Sequence, residues 1–243
     1  YNSIEPLFKE VDYVFHLAAE SRIQPTLERP QDACVTNFVG TCNVLQASRL
    51  HGVKKVMYSS TSSGYGLKNE IPLREDMSRD CLNPYAVTKV AAEDLVKMYY
   101  TLWDLPTVIF RYFNIYGDRE PTKGQYAPVV GLFLKQNKNG EAMTIVGDGN
   151  QRRDFTNVAD AVQANMLAME SDSKEILAEV FNVGTGSNNS VLELAQMISD
   201  NYTFIAPRLG EAQNTLADIT KAKTLLGYNP TVKISEWIKQ KIT

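Results

Sequence analysis

The sequence predicts an α/β fold, a doubly wound parallel sheet with a smaller, discontinuous α/β lobe. Three observations carry that prediction. Short apolar runs of strand length alternate with longer segments of helical spacing, the rhythm of a parallel sheet covered on both faces. The first run, "VDYVFHLAA" (11–19), is a short apolar run of the kind that makes a strand buried on both sides. Three such runs end in small, hydroxyl or amide residues, at the edge where ligands sit in an open parallel sheet.

The elements follow in chain order. "SIEPLFKE" (3–10) is helix-like and starts almost at the first residue, so the chain reads as beginning partway through a fold. "VDYVFHLAA" (11–19) is the first strand. A helix is predicted from Pro30 to Leu50, with Val35, Phe38, Val39, Cys42, Leu45 and Leu50 near helical spacing and Gly52 as its stop. "KKVMYSST" (54–61) is the second strand, Pro84 to Trp103 a long helix, and "PTVIFRYF" (106–113) the third strand. "FNVG" (181–184) is a short strand before a helix from Ser190 to Asp200. Between Gly117 and Gln151, and again after Gly186, the rhythm weakens. The expected division is 1–117 with 154–185 for the sheet domain, and 118–153 with 186–243 for the second lobe.

Composition narrows the function classes. The chain has 243 residues, 44% hydrophobic and 22% charged, ordinary for a soluble globular protein with ample core. A net charge of −3 argues against nucleic acid or an anionic membrane as the main partner. Three cysteines, odd in number and without metal-ligand spacing, read as reduced thiols of a cytoplasmic protein. Two histidines exclude a histidine-rich metal site, and His16 inside an apolar run reads as structural; no metal is expected. No apolar run approaches membrane-spanning length.

The chemistry centres on "NPYAVTK" (83–89). A four-residue step turns a helix through about 400°, so Tyr85 and Lys89 share one face. A lysine ammonium beside a phenol favours the phenolate, which would make Tyr85 a usable general base. A surface tyrosine beside a solvated lysine is the alternative if nothing else converges. Two strand ends converge: "SSTSSGYG" (59–66), with five hydroxyl residues in a row, and "RYFNIYG" (111–117), which puts Asn114 at the mouth of the sheet.

The ordered set "DYVFHLAA", "NFVGTCNVLQA", "YSSTSSGYG", "PYAVTK", "RYFNIYG", "GDGNQRRDFTNVAD", "FNVGTG" and "ADITKAKTLLGYNP" resembles the extended short-chain dehydrogenase/reductase family. More narrowly it resembles the NAD-dependent nucleotide-sugar epimerases and dehydratases, along nearly the whole chain. The resemblance implies a Rossmann-type sheet, NAD as cofactor, a substrate-binding second lobe and a homodimer. It implies that Tyr85 is the catalytic acid/base, that Lys89 holds the nicotinamide ribose, and that Thr61 hydrogen-bonds the reacting sugar hydroxyl. Leu17, Ala18, Ala19, Ser21, Thr36 and Ser59 match residues lining the NAD cleft, with Tyr112 and Phe113 near the nicotinamide end. Asn114, Arg153 and Arg208 match the clamp on the substrate diphosphate, a role suited to guanidinium groups. Arg152 is expected to face solvent, and Thr144 and Val146 to border the nucleotide base.

Dehydratases and decarboxylases of this family carry an added acid just after the catalytic Ser/Thr, because elimination or loss of carboxylate needs a second proton manager. Here Ser62 and Ser63 follow Thr61, which favours epimerisation at C4 of a UDP-sugar through a transient 4-keto sugar. Another dehydratase or reductase of the family, or a non-catalytic nucleotide-sugar-binding remnant, are the alternatives. In family epimerases a residue just before the "ADITKA"-like motif, two positions ahead of it here, gates the space beside C2 of the sugar. Thr215 there implies room for an N-acetyl group, so both UDP-glucose/galactose and UDP-GlcNAc/GalNAc are expected substrates.

One departure is large. The family's G-x-x-G-x-x-G phosphate loop is absent from these residues, and "GDGN" and "GTGS" sit in the wrong context. At about 30 residues per βαβ unit, roughly 60 residues of the first half-domain are expected to be missing. The polypeptide as given is then expected to bind NAD weakly and to expose the strand at 11–19 as an apolar edge.

Overall fold

The structure, a computed structural model, describes residues 1–121, 127–207 and 213–242. A 3-10 turn (Glu5–Phe8) leads into β1 (Tyr13–His16), α1 (Ile23–Glu28), α2 (Pro30–Ala33), a π-helical stretch (Cys34–Val39) and α3 (Gly40–Leu50). Next come β2 (Lys55–Thr61), α4 (Pro84–Trp103), β3 (Thr107–Tyr112), β4 (Ile115–Tyr116), α5 (Val129–Lys138), β5 (Met143–Val146), β6 (Arg152–Arg153) and β7 (Thr156–Asn157). The chain continues through α6 (Val158–Glu170), β8 (Val180–Val183), β9 (Asn189–Ser190), α7 (Val191–Gln196), β10 (Tyr202–Ile205), α8 (Thr220–Leu226) and α9 (Ile234–Ile242). Among the described residues no helix is long and apolar enough to cross a membrane.

Four parallel strands form the central sheet in the order β1-β2-β3-β8. Successive residues of a strand face opposite sides, so β2 and β3 feed two cores at once. Val56, Tyr58 and Ile109 pack with Leu45 of α3 and Ala92 and Val96 of α4. Met57, Val108 and Phe110 pack on the other face with Ala164 and Ala168 of α6 and Ala222 and Leu226 of α8. Every residue of β2 is buried, whereas β1 is an edge strand with Tyr13 and Phe15 well exposed. A third core lies away from the sheet, built from Val130 and Phe133 of α5, Met143 and Ile145 of β5, Leu194 of α7 and Ile238 of α9.

Two helices differ from the sequence expectation. The helix expected to Asp200 stops at Gln196. In the stretch from Pro30 to Leu50 the inward positions are Ala33, Asn37, Thr41, Leu45 and Ser48, while Val35, Phe38, Val39 and Leu50 face outward. Ala47 is buried as well, so half of the inward face is polar, and specific bonds hold Asn37 and Thr41 there. Thr41 Oγ1 donates to the Asn37 carbonyl at 2.6 Å and lies 2.9 Å from His16 Nε2.

Asp154 ties the sheet to the third core. Its carboxylate accepts from Thr185 N (2.8 Å), Thr185 Oγ1 (2.7 Å), Gly186 N (3.1 Å) and Ala217 N (3.2 Å). Two chain segments pass closely here, since a Cβ on Gly184 would stand 2.4 Å from Ala217 Cβ. Only glycine fits that approach.

Candidate active site

The site begins with the start of α4. Asn83 caps the helix, its Oδ1 accepting from Ala86 N at 2.9 Å, and Pro84 takes the first position, where no backbone donor is needed. This fixes the phase of the helix, so that Ala86, Lys89, Val90 and Glu93 turn toward the sheet. Gly64 lets the loop after β2 press against this helix, since a Cβ there would fall 2.5 Å from Val90 Cγ2. Thr61, the last residue of β2, thereby comes opposite Tyr85, close enough to act on its phenol.

The pair of Tyr85 and Lys89 differs from the sequence expectation. Burial pushes the Tyr85 phenol up, and the Thr61 hydroxyl is what opposes it. The Lys89 ammonium is turned to the Tyr58 ring, 4.3 Å from its centroid. Sequence spacing gives the shared face correctly but not the end point of a long flexible side chain. Burial lowers Lys89 to about 8, with Glu93 acting in the opposite direction. Its Nζ is shut off from solvent without a hydrogen-bond partner among the described residues. An orphaned buried ammonium suits a ligand that brings its own acceptors, such as a ribose diol. The residues present fit a nicotinamide nucleotide in that respect.

Around the pair the polar groups are bound. His16 is lowered to about 4 by burial and by the nearby Lys89 charge, which makes it a neutral structural group. Asn37 joins the loop after β1 to α4: its Oδ1 accepts from Glu20 N (2.7 Å) and its Nδ2 donates to Thr88 Oγ1 (3.0 Å).

A cleft of about 320 Å³ opens where the carboxyl ends of the strands meet the third core. Ser21 comes from the loop after β1, Ser62 and Ser63 from the end of β2, and Asn114 from the end of β3. Thr144 and Val146 of β5, Arg153 and Thr215 line the far side. Asn114 Nδ2 donates to Thr215 Oγ1 at 3.3 Å, joining two residues far apart in sequence. No lining residue carries a carboxylate among those described, and two, Arg22 and Arg153, are cationic.

Arg152, expected to face solvent, keeps its side chain 37% exposed but is also held by specific bonds. Its Nε donates to Asn188 Oδ1 and its Nη2 to the Asn188 carbonyl, both at 2.9 Å, and Nη1 meets Glu193 Oε1 at 3.1 Å. The β6–β9 pairing brings these groups together, a contact no local pattern encodes. Arg208 lies outside the described residues.

The expected cofactor residues are spread along the carboxyl edge of the sheet. Leu17, Ala18, Ser21 and Thr36 are exposed, Ala19 is half-buried, and Ser59 is buried within β2. The Tyr112 hydroxyl accepts from Asn165 Nδ2 at 2.7 Å. The Phe113 side chain is wholly buried beside Tyr65, so only its backbone is available to a ligand. Sequence reasoning missed Arg22, Gln24, Leu82 and Gln151 in the cleft wall. The residues of "SRIQ" follow a strand end directly, a placement that could have flagged them.

The family model described as NAD dependent epimerase/dehydratase matches residues 1–184. A putative UDP-glucose 4-epimerase of Methanocaldococcus jannaschii is 34% identical, over 96% of this chain and 76% of that protein. A UDP-N-acetyl-alpha-D-glucosaminuronate decarboxylase of Bacillus cytotoxicus is 36% identical, over 99% of this chain and 78% of its own. Among solved structures, the UDP-glucose 4-epimerase of Thermotoga maritima with UDP-glucose superposes with a TM-score of 0.93 at 33% identity, covering 99% of this chain and 80% of that one.

Proposed function

The chain belongs to the NAD dependent epimerase/dehydratase family, and on that premise we propose that it inverts the configuration at C4 of a UDP-sugar. The observation that carries this reading is the end of β2, where Thr61 meets Tyr85 while Ser62 and Ser63, not carboxylates, face the cleft. Epimerisation needs one group to remove and return the proton of the 4-hydroxyl, and Tyr85 supplies it. Thr61 orients that hydroxyl and favours the phenolate. NAD, when bound, supplies the hydride acceptor and donor at C4; Lys89, with Ser59 and the small residues after β1, would hold it. Asn114, Arg153 and Arg208 would grip the diphosphate, and Thr144 and Val146 would border the uracil.

Dehydration or decarboxylation is the second reading, favoured by the similarity to the Bacillus cytotoxicus decarboxylase. It would need a further acid at the reacting carbon, and no described lining residue carries a carboxylate. Product analysis separates the two. A 4-epimer of the same mass supports the proposal; a 4-keto-6-deoxy or decarboxylated sugar overturns it.

Thr215 extends the reading to substrate choice. A threonine leaves room beside C2 that a tyrosine would fill, so the site is expected to turn over UDP-GlcNAc as well as UDP-glucose. Thr215→Tyr is expected to lower kcat/KM for the N-acetylated substrate by at least about tenfold and to spare UDP-glucose. Equal effects on both would contradict the assignment.

The outer face of α4 supports a homodimer. Val87, Met98, Leu102 and Trp103 are exposed there, and Val35, Phe38 and Val39 are exposed on the helix packed beside it. Arg49 lies over Trp103, 4.9 Å from the ring centroid, and joins the two helices. A continuous two-helix apolar face of this kind suits a second copy of the chain.

A further inference from the structure

Glu93 follows Lys89 by four residues on α4, so both side chains leave the same helix face. Neither reaches water: Lys89 is 2% exposed and Glu93 0%. A buried ammonium tends to lose its proton unless an anion stands near. The groups around Lys89 give little such help. Tyr58 from β2 offers only its ring face, His16 from β1 is itself a potential cation, and the Tyr85 phenol on the same helix is protonated. Arg111 from β3 is a second cation. The anion in this group is Glu93.

The structure fixes that anion firmly. Glu93 accepts from Arg111 Nε at 2.9 Å and from Arg111 Nη2 at 2.7 Å, a bidentate pair, and also accepts from the Ser60 hydroxyl. Arg111 is held in turn over the Tyr65 ring, 4.8 Å from its centroid, and Tyr65 donates to Asn182 Oδ1 at 2.6 Å. Such a network can serve as packing alone. Its place one turn from Lys89 on the same buried face of α4 gives it a second consequence, because the carboxylate charge favours the ammonium.

We propose that Glu93 is a positioning residue for the reaction: its buried charge, fixed by Arg111 and Ser60, keeps Lys89 in the ammonium form that binds the cofactor ribose. The proposal rests on the reading of Lys89 as the ribose-holding residue. Glu93 touches neither substrate nor cofactor and acts only through Lys89.

The test reads the lysine proton directly and needs no turnover. The chain is labelled with ¹³C at lysine Cε and titrated by NMR, with the Lys89 signal identified by its loss in Lys89→Met. The wild-type midpoint is expected at about 8. In Glu93→Gln it is expected to fall by about one pH unit or more, and in Glu93→Asp to return most of the way. Since Glu93→Gln strands the Arg111 guanidinium, the paired replacement of Glu93→Leu with Arg111→Met serves if the single variant fails to fold. Buried ion pairs commonly tolerate apolar replacement, and a smaller fall in the same direction is expected there, because the Arg111 cation leaves with the anion. A Lys89 midpoint unchanged from wild type in either folded variant overturns the proposal and leaves Glu93 as a packing partner of Arg111. Failure of the epimerase reading would show separately, as absence of the 4-epimer with the titration unaltered.

Discussion

Tyr85 and Lys89 show what a motif can and cannot carry. Their spacing fixes a shared helix face, but the side chains end in different surroundings. Burial raises the phenol, and the lysine rests on Tyr58. Tyr85→Phe is expected to lower kcat by roughly 10²–10⁴-fold while leaving UDP affinity unchanged by calorimetry; equal losses in both would mean a structural defect. Lys89 carries a cost in stability. Its folded midpoint, about 8, lies below its ordinary 10.5, so the folded chain binds that proton less tightly than the unfolded chain. The cost is present in full below about pH 8 and fades as pH rises toward 10.5. Lys89→Met is therefore expected to stabilise the chain at neutral pH by on the order of 3 kcal/mol in urea denaturation, with the gain gone near pH 10.5. A destabilised variant at neutral pH would contradict this. The sequence singles out the pair by its spacing, whereas the bonds of Arg152 and the burial of Phe113 depend on contacts made far along the chain.

Among the elements, the sheet strands were the most legible, because β2, β3 and β8 are buried on both faces and each carries a short apolar stretch, at 56–58, 108–110 and 180–181. The helices were less so. The apolar spacing from Val35 to Leu50 marks an outward face, since Asn37 and Thr41 take the inward positions through hydrogen bonds. Strand β10 escaped notice because it is short and half-exposed and gains its identity only by pairing with β5. The junction at Asp154 is equally invisible in sequence. Asp154→Ala would leave the Thr185, Gly186 and Ala217 amides without their acceptor. A loss of about 3 kcal/mol or more in denaturation midpoint analysis is expected, and a neutral substitution would show that the junction is held by packing alone.

For the whole molecule, the arrangement separates three tasks. The sheet and the start of α4 carry the proposed reacting groups, Thr61, Tyr85 and Lys89, the third core supplies the far wall of the cleft, and the outer face of α4 with its neighbour is left apolar. Replacing Val87 and Leu102, both exposed, by glutamate is expected to convert a dimer to a monomer in sedimentation velocity without loss of helical signal. An unchanged sedimentation coefficient would place the contact elsewhere. The central claim, that this cleft inverts C4 of a UDP-sugar through Tyr85, has one most direct measurement. UDP-GlcNAc or UDP-glucose is incubated with the protein and saturating NAD, and the sugar signals are followed by ¹H NMR beside the Tyr85→Phe variant. The 4-epimer should grow in until both sugars reach equilibrium, and Tyr85→Phe should leave the substrate unchanged. An unaltered sugar with the wild-type protein, an accumulating 4-keto product, or equal turnover by Tyr85→Phe would contradict the account.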